Sequence, residues 1–280
     1  MIYESKVPAS SVTNLEELFS GPAMISYAQN REDVMVYRAL KALGKGTYID
    51  VGAGDPVNDS VTKYFYDQGW SGINIEPHPV RFQALKEQRT RDINLQSVLS
   101  DCVKECEFYY FEHADFSTYN SGVAATHESN KHQFVTHKVE TTTLDIIFEQ
   151  HIGDRDVHLL KIDVEGSEKQ VLQGINLLTH RPWILIVEST VPNTQIENFQ
   201  EWEALILQSG YEFVYKDGLN RFYLSNDHRD LKICFELPPN VFDHYEQFYP
   251  HRNAEITQIK KENQELRKKM QAMIDEKGTK

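Results

Sequence analysis

The apolar positions of the chain change period twice. Val34, Met35, Tyr37, Leu40 and Leu43 recur at helical spacing, and Gly44 and Gly46 end the run, which predicts an amphipathic helix ahead of the main fold. A shorter helix is expected over residues 14–19, with Asn14 as its cap and Gly21 and Pro22 as breakers. From Thr47 onward short apolar runs alternate with helical stretches. Strands are expected at 48–51, 72–76, 93–98, 157–163 and 183–187, and helices at 60–67, at 80–88, through Val171 and Leu172, and at 199–208. Two further strands, 211–215 and 221–224, flank the turn signal of Asp217 and Gly218. This alternation specifies an α/β fold: a doubly wound, mainly parallel sheet covered on both faces, closed by an antiparallel hairpin.

Residues 101–142 break the alternation. Short edge strands are expected at 107–111 and 135–141, joined by a polar stretch rich in Ser, Thr, Asn and His. A long irregular connection inside a compact domain is usually functional, often a lid.

At 280 residues the chain accommodates one full α/β domain with an accessory element at either end. The expected division is a helical segment over 1–45, a ligand-binding domain over 46–250 and a distinct tail over 251–280. The longest aliphatic and aromatic run, 183–187, falls far short of the ~20 residues that span a bilayer, and no basic-then-apolar leader opens the chain, so a cytoplasmic location is expected. Cys102, Cys106 and Cys234 lack zinc-ligand spacing and read as reduced thiols. A net charge of −13 disfavours wrapping a nucleic acid. The charge is uneven, with +3 on residues 251–280 and −16 on the rest.

The chemistry concentrates at the strand ends, where open parallel sheets bind ligands. The first strand runs into Asp50, Gly52, Ala53, Gly54 and Asp55, in which the glycines let backbone approach a ligand and Asp50 accepts hydrogen bonds. The alternative is a plain strand-to-helix turn. Glu76, followed by Pro77, ends the second strand 26 residues after Asp50, where an acid takes the ribose hydroxyls of an adenosine ligand. That feature serves NAD and S-adenosylmethionine alike. Against NAD, the loop lacks a third glycine, and Asp55 sets a carboxylate where diphosphate charge would lie. Ser100 and Asp101, after the third strand, are suited to an adenine amino group or to a turn. The fourth strand ends in Asp163, Glu165 and Glu168, and the next in Glu188. Asp163 and Glu165 are the catalytic candidates. Asp163 with Glu188 reads as a Mg²⁺ site, the alternative being direct binding of substrate by both acids.

These residues, together with Ser26-Tyr27-Ala28-Gln29-Asn30, Glu32-Asp33-Val34, Ser60-Val61-Thr62, Gly69 through Pro77 and Phe116-Ser117-Thr118, resemble the FkbM family of S-adenosylmethionine-dependent methyltransferases over about residues 26–225. The resemblance implies a class I methyltransferase (Rossmann-like) fold. It also implies methyl transfer to oxygen, commonly on sugars of polysaccharides or glycosylated natural products. The cofactor-binding set then reads Gln29, Glu32, Asp50, Gly52, Ala53, Gly54, Asp55, Ser60, Glu76, Pro77, Ser100 and Asp101, with Gln29 and Glu32 closing over the ligand. Arg31 departs from the small residue expected between Asn30 and Glu32. Because the sulfonium already activates the methyl group, the protein must align an acceptor oxygen and remove its proton. Asp163, alone or with a metal, is the expected base; His113 and His127 are rivals.

In the tail, Ile256, Ile259, Asn263, Leu266, Met270 and Met273 follow coiled-coil spacing, with Asn263 at a position that favours a parallel dimer. A homodimer through this helix is expected, the alternative being a single helix packed on its own domain. The tail is also read as a spacer toward peripheral glycan-assembly machinery, with methylation capping a growing glycan. Competing functions are a nicotinamide-dependent oxidoreductase and a catalytically silent scaffold assembled through the tail.

Overall fold

The computed structural model describes residues 21–250. The helix expected at 14–19 and the heptad pattern of 251–280 lie outside the described residues.

The described chain runs β1 (Met24–Ser26), α1 (Glu32–Leu40), β2 (Thr47–Val51), α2 (Lys63–Asp67), β3 (Ser71–Ile75), α3 (Pro79–Gln88), β4 (Ile93–Leu95), β5 (Val98–Leu99), β6 (Glu105–Phe111), α4 (Ser121–Ser129) and β7 (Phe134–Thr142). It continues through α5 (Leu144–Ile147), β8 (Leu159–Ile162), α6 (Glu168–Gln173), β9 (Ile184–Glu188), α7 (Glu203–Gln208), β10 (Tyr211–Lys216), β11 (Asn220–Ser225) and β12 (Tyr245–Gln247). Seven strands form the central sheet in the order β10-β11-β9-β8-β2-β3-β4. β4, β3, β2, β8 and β9 pair in parallel, and β11 is antiparallel to β9 and to β10. The chain builds outward from β2 to β4, then returns to the other side of β2 for β8 and β9. The switch point therefore lies between β2 and β8, where splayed connections leave a crevice at the carboxyl ends.

Strand alternation divides the core between the two faces of the sheet. Ile49 and Val51 pack with Leu144, Val171 and Ile206 on one face, and Tyr48 packs with Met35, Leu40 and Phe65 on the other. Met24–Ser26 pairs in parallel with Tyr245–Gln247, which ties the two ends of the described chain together.

The expected doubly wound sheet with its closing hairpin is present, with local differences. The strand expected at 93–98 divides: β4 joins the central sheet, whereas β5 pairs with β7 in a separate three-stranded sheet of order β5-β7-β6. The segments read as edge strands therefore pair with each other rather than with the main sheet. The polar stretch between them contains α4, whose cap Asn120 accepts from the Gly122 and Val123 amides. The helix expected at 199–208 breaks at Trp202, whose φ of −135° is non-helical. Among the described residues no helix is long and apolar enough to cross a membrane.

A buried polar hub fixes β2, β3 and the loop after β2. Asp92 accepts from Tyr48 Oη at 2.5 Å, from the Gly72 amide at 2.9 Å and from Asn74 Nδ2 at 2.9 Å. Arg89 lies 3.9 Å from Asp92 and donates to the Pro56 carbonyl at 2.9 Å and to Ser60 Oγ at 2.8 Å. Removing one partner of a buried ion pair strands the other without solvent. Arg89→Met is expected to lower stability by about 3–5 kcal/mol in guanidinium denaturation; a change below about 1 kcal/mol would show that the hub is dispensable.

Candidate active site

The crevice at the switch point is a cavity of about 930 Å³. Gly52 and Gly54 floor it with φ of 71° and 63°, a region that L side chains rarely adopt. Gly52 is also sterically required, since a Cβ there would lie 1.8 Å from the Asp163 carbonyl oxygen. The ends of β2 and β8 thus approach more closely than any side chain permits.

Glu76 lines the cavity and organises its loop. Its Oε2 accepts from the Gly54 amide at 2.8 Å and its Oε1 from the His78 amide at 2.8 Å. Burial raises its pKa, and these two amides act in the opposite direction. Each carboxylate oxygen keeps a further lone pair for a ligand hydroxyl. Asp55 accepts from the Val57 amide at 2.9 Å and the Asn58 amide at 2.8 Å. Those amides are the donors a diphosphate would need, and no helix opens there, because α2 begins only at Lys63.

Beyond β8 and β9 the cavity is acidic. Lys161 Nζ donates to the Gly52 carbonyl at 2.9 Å and lies 3.3 Å from Asp163 Oδ2 and 3.5 Å from Asp50 Oδ1. Burial opposes its charge, but Asp163 and Asp50 outweigh burial and raise its pKa. Glu165 and Glu188 are held well above the usual carboxylate range, first by burial and then by the Asp163 charge. Glu165 has a φ of 53°, a left-handed conformation that costs about 1–2 kcal/mol. Its loop is pinned from both sides. Thr118 Oγ1 donates to the Glu165 carbonyl at 3.1 Å and Asn120 Nδ2 to the Gly166 carbonyl at 2.9 Å. Glu168 Oε1 accepts from the Val164 amide at 3.1 Å and the Gly166 amide at 3.2 Å.

The cavity brings together Gln29, Gly52, Ala53, Gly54, Asp55, Glu76, Pro77, Asp163, Glu165 and Glu188. Five residues from the expected set stand elsewhere. Asp50 lies behind the floor, accepting from Thr62 Oγ1 at 2.8 Å. Ser60 belongs to the Arg89 hub. Ser100 is buried and donates to Asp101, which points outward to Lys104 at 2.6 Å, and that bond holds the Asp101 carboxyl down at about 2. In their place Ser97, Val98 and Leu99 line the cavity, with Phe108 and Tyr119.

Glu32 also stays out of the cavity and instead positions its rim. It accepts from the Asn30 amide and from Asn220 Nδ2, both at 2.8 Å, joining α1 to the β10–β11 turn. Asp33 gathers Ser26 Oγ at 2.7 Å and the Tyr27 amide at 2.7 Å, so the two acids together shape the loop carrying Gln29. Arg31 adopts φ 65°, a left-handed conformation that glycine takes without strain.

Lys161 and Arg81 had no role in the sequence reading. The signal for Lys161 was a lone charge inside the apolar strand 159–162. His113 and His127 do not line the cavity; His127 stacks on Phe116 at 4.6 Å. No cluster of three or more His, Cys, Asp or Glu that could hold a metal ion occurs among the described residues. Nothing here supports the expected Mg²⁺, and the cation between Asp50 and Asp163 is the Lys161 ammonium.

The methyltransferase FkbM domain model matches residues 50–213, from Asp50 at the end of β2 into β10. The chain belongs to the FkbM methyltransferase family. Its strand order, with an antiparallel seventh strand inserted beside β9, is that of a class I methyltransferase. Among solved structures the chain is similar to a TehB-like SAM-dependent methyltransferase from Corynebacterium glutamicum, with 10% identity and a TM-score of 0.36 over 68% of this chain and 87% of that one. No curated protein matches the chain.

In this FkbM methyltransferase the rim acids give stability a pH dependence. Burial, then the Asp217 charge, raises Glu32 from an ordinary 4.5 to about 8. The folded state thus keeps a proton that the unfolded chain releases, and stability is lost as pH rises from about 4.5 through 8. The melting temperature is expected to fall between pH 6 and pH 9, and Glu32→Gln to flatten part of that slope. An unchanged slope in the variant would place the titration elsewhere.

Proposed function

We propose that this chain is an S-adenosylmethionine-dependent O-methyltransferase acting on a sugar hydroxyl of a polysaccharide or other glycan, with Asp163 as the proton acceptor. The observation that carries the reading is the floor of the crevice, where glycine backbone, the Glu76 carboxylate and an Asp163 held beside Lys161 converge at the switch point. Family membership supports methyl transfer, and the donor set supports the cofactor. Glu76 suits two vicinal ribose hydroxyls, and Val98, Leu99 and Phe108 offer apolar walls to an adenine. The acidic end suits a sulfonium, whereas Asp55 occupies the amides that a nicotinamide dinucleotide would use.

When bound, S-adenosylmethionine supplies an activated methyl group and is left as a neutral thioether. The remaining tasks fall to the protein. Lys161 holds the Asp163 carboxylate in place at 3.3 Å, where it serves as proton acceptor for the acceptor hydroxyl. Burial, then the Asp163 charge, raises the pKa of Glu165 and of Glu188, and both acids line the crevice where they can orient the hydroxyl.

Calorimetric titration is expected to show S-adenosylhomocysteine binding and NAD not binding; the reverse would indicate a dehydrogenase, and silence toward both a scaffold. With labelled methyl donor, Asp163→Asn is expected to lower turnover by about 10²–10⁴ while S-adenosylhomocysteine affinity holds. Near-normal turnover in that variant would remove Asp163 as the base.

A further inference from the structure

The sheet order divides the crevice. Gly52, Glu76 and Val98 belong to the β2, β3 and β5 side, whereas Glu165 and Glu188 follow β8 and β9 on the other. Two basic residues line the crevice among those described, and neither is free on that second side. Lys161 is held by Gly52, Asp50 and Asp163, and Arg81, after β3, pairs with Asp115 at 2.5 Å.

Glu188 ends β9 with only 6% of its surface exposed; its carboxyl lies against that of Asp163, and its Oε2 meets no protein donor. A buried oxygen in that state costs about 1–3 kcal/mol unless a donor arrives. It lines the crevice together with the neutral side chains of Asn193, Thr194 and Gln195, which follow β9. Their loop is built rather than loose. Thr190 bridges to Glu197, the Asn198 amide donates to the Ser189 carbonyl at 2.9 Å, and the Val191 amide donates to the Ile196 carbonyl at 2.8 Å.

On the footing of the O-methyltransferase reading, we propose that Glu188 and the loop from Asn193 to Gln195 form the acceptor subsite, which takes an uncharged, vicinally hydroxylated ring and rejects an anionic one. Amide side chains both donate and accept, as ring hydroxyls do, and Glu188 Oε2 accepts the one donor it lacks. An acceptor carboxylate or phosphate would meet Asp163, Glu165 and Glu188 with no free cation to offset them. In the transfer the acceptor oxygen forms its bond to the methyl carbon as the carbon–sulfur bond breaks, and the hydroxyl proton passes to Asp163.

The test compares a neutral alkyl hexoside with the matching hexuronoside, which differs only at the C6 carboxylate, using labelled methyl donor and the full chain. The neutral compound is expected to be favoured at least tenfold in kcat/KM. Glu188→Gln is expected to lower kcat/KM for it at least tenfold and to narrow the preference, with S-adenosylhomocysteine affinity unchanged. Gln195→Ala, on an exposed loop, is expected to raise KM at constant kcat. Equal or better use of the uronoside, or an unaltered Glu188→Gln enzyme, overturns the proposal. So does methylation of neither compound while S-adenosylhomocysteine still binds, an outcome that leaves the cofactor reading standing. Failure of the unmodified chain to bind S-adenosylhomocysteine strikes the cofactor reading itself, and the subsite with it.

Discussion

Lys161 is the interaction on which the rest of the site depends. An ammonium withdrawn from water is stable only when its charge and its donors are answered, and here the Gly52 carbonyl, Asp163 and Asp50 answer them. Those partners come from the ends of the two strands that flank the switch point. The same contact therefore joins β2 to β8 and sets the charge at the floor of the crevice. Gly52 permits it, because any side chain there would strike the Asp163 backbone.

The other acids arrange themselves around that single cation. Asp163 has Lys161 at hand, whereas Glu165 and Glu188 are buried beside the Asp163 charge, and both effects raise their pKa. The strained Glu165 turn is sustained from a distance by Thr118 and Asn120, residues of the irregular segment between β6 and β7. That segment is therefore coupled to the chemistry through the backbone of the β8 loop, in addition to walling the crevice with Phe116.

Much of this was legible in the sequence because the signals are local. Apolar runs alternating with helical spacing specified the sheet, the glycine-rich turn marked the end of β2, and Glu76 followed at a spacing set by one strand–helix–strand unit. What escaped depends on side-chain direction and on distant pairing. Alternation along β2 turns Asp50 away from the crevice toward Thr62, and a break after Leu95 sends Asp101 out to Lys104. Neither follows from position in a motif. The pairing of β6 with β7 requires knowing which strands meet across a long connection. Lys161 stands in the sequence as a lone charge in an apolar strand, and its role is hidden there because Gly52 and Asp50 lie more than a hundred positions away. Glu32 is expected as a ligand contact from its place in the motif, yet its partner Asn220 lies 188 positions away.

The central claim is that a sulfonium nucleoside lies across the ends of β2, β3 and β5 and turns its reactive end toward Asp163. A crystal structure of the chain with S-adenosylhomocysteine addresses it directly. The expected result is both ribose hydroxyls on the Glu76 carboxylate and the sulfur facing Asp163. The ligand bound elsewhere, or the same crevice filled by the chain's own side chains, would contradict it.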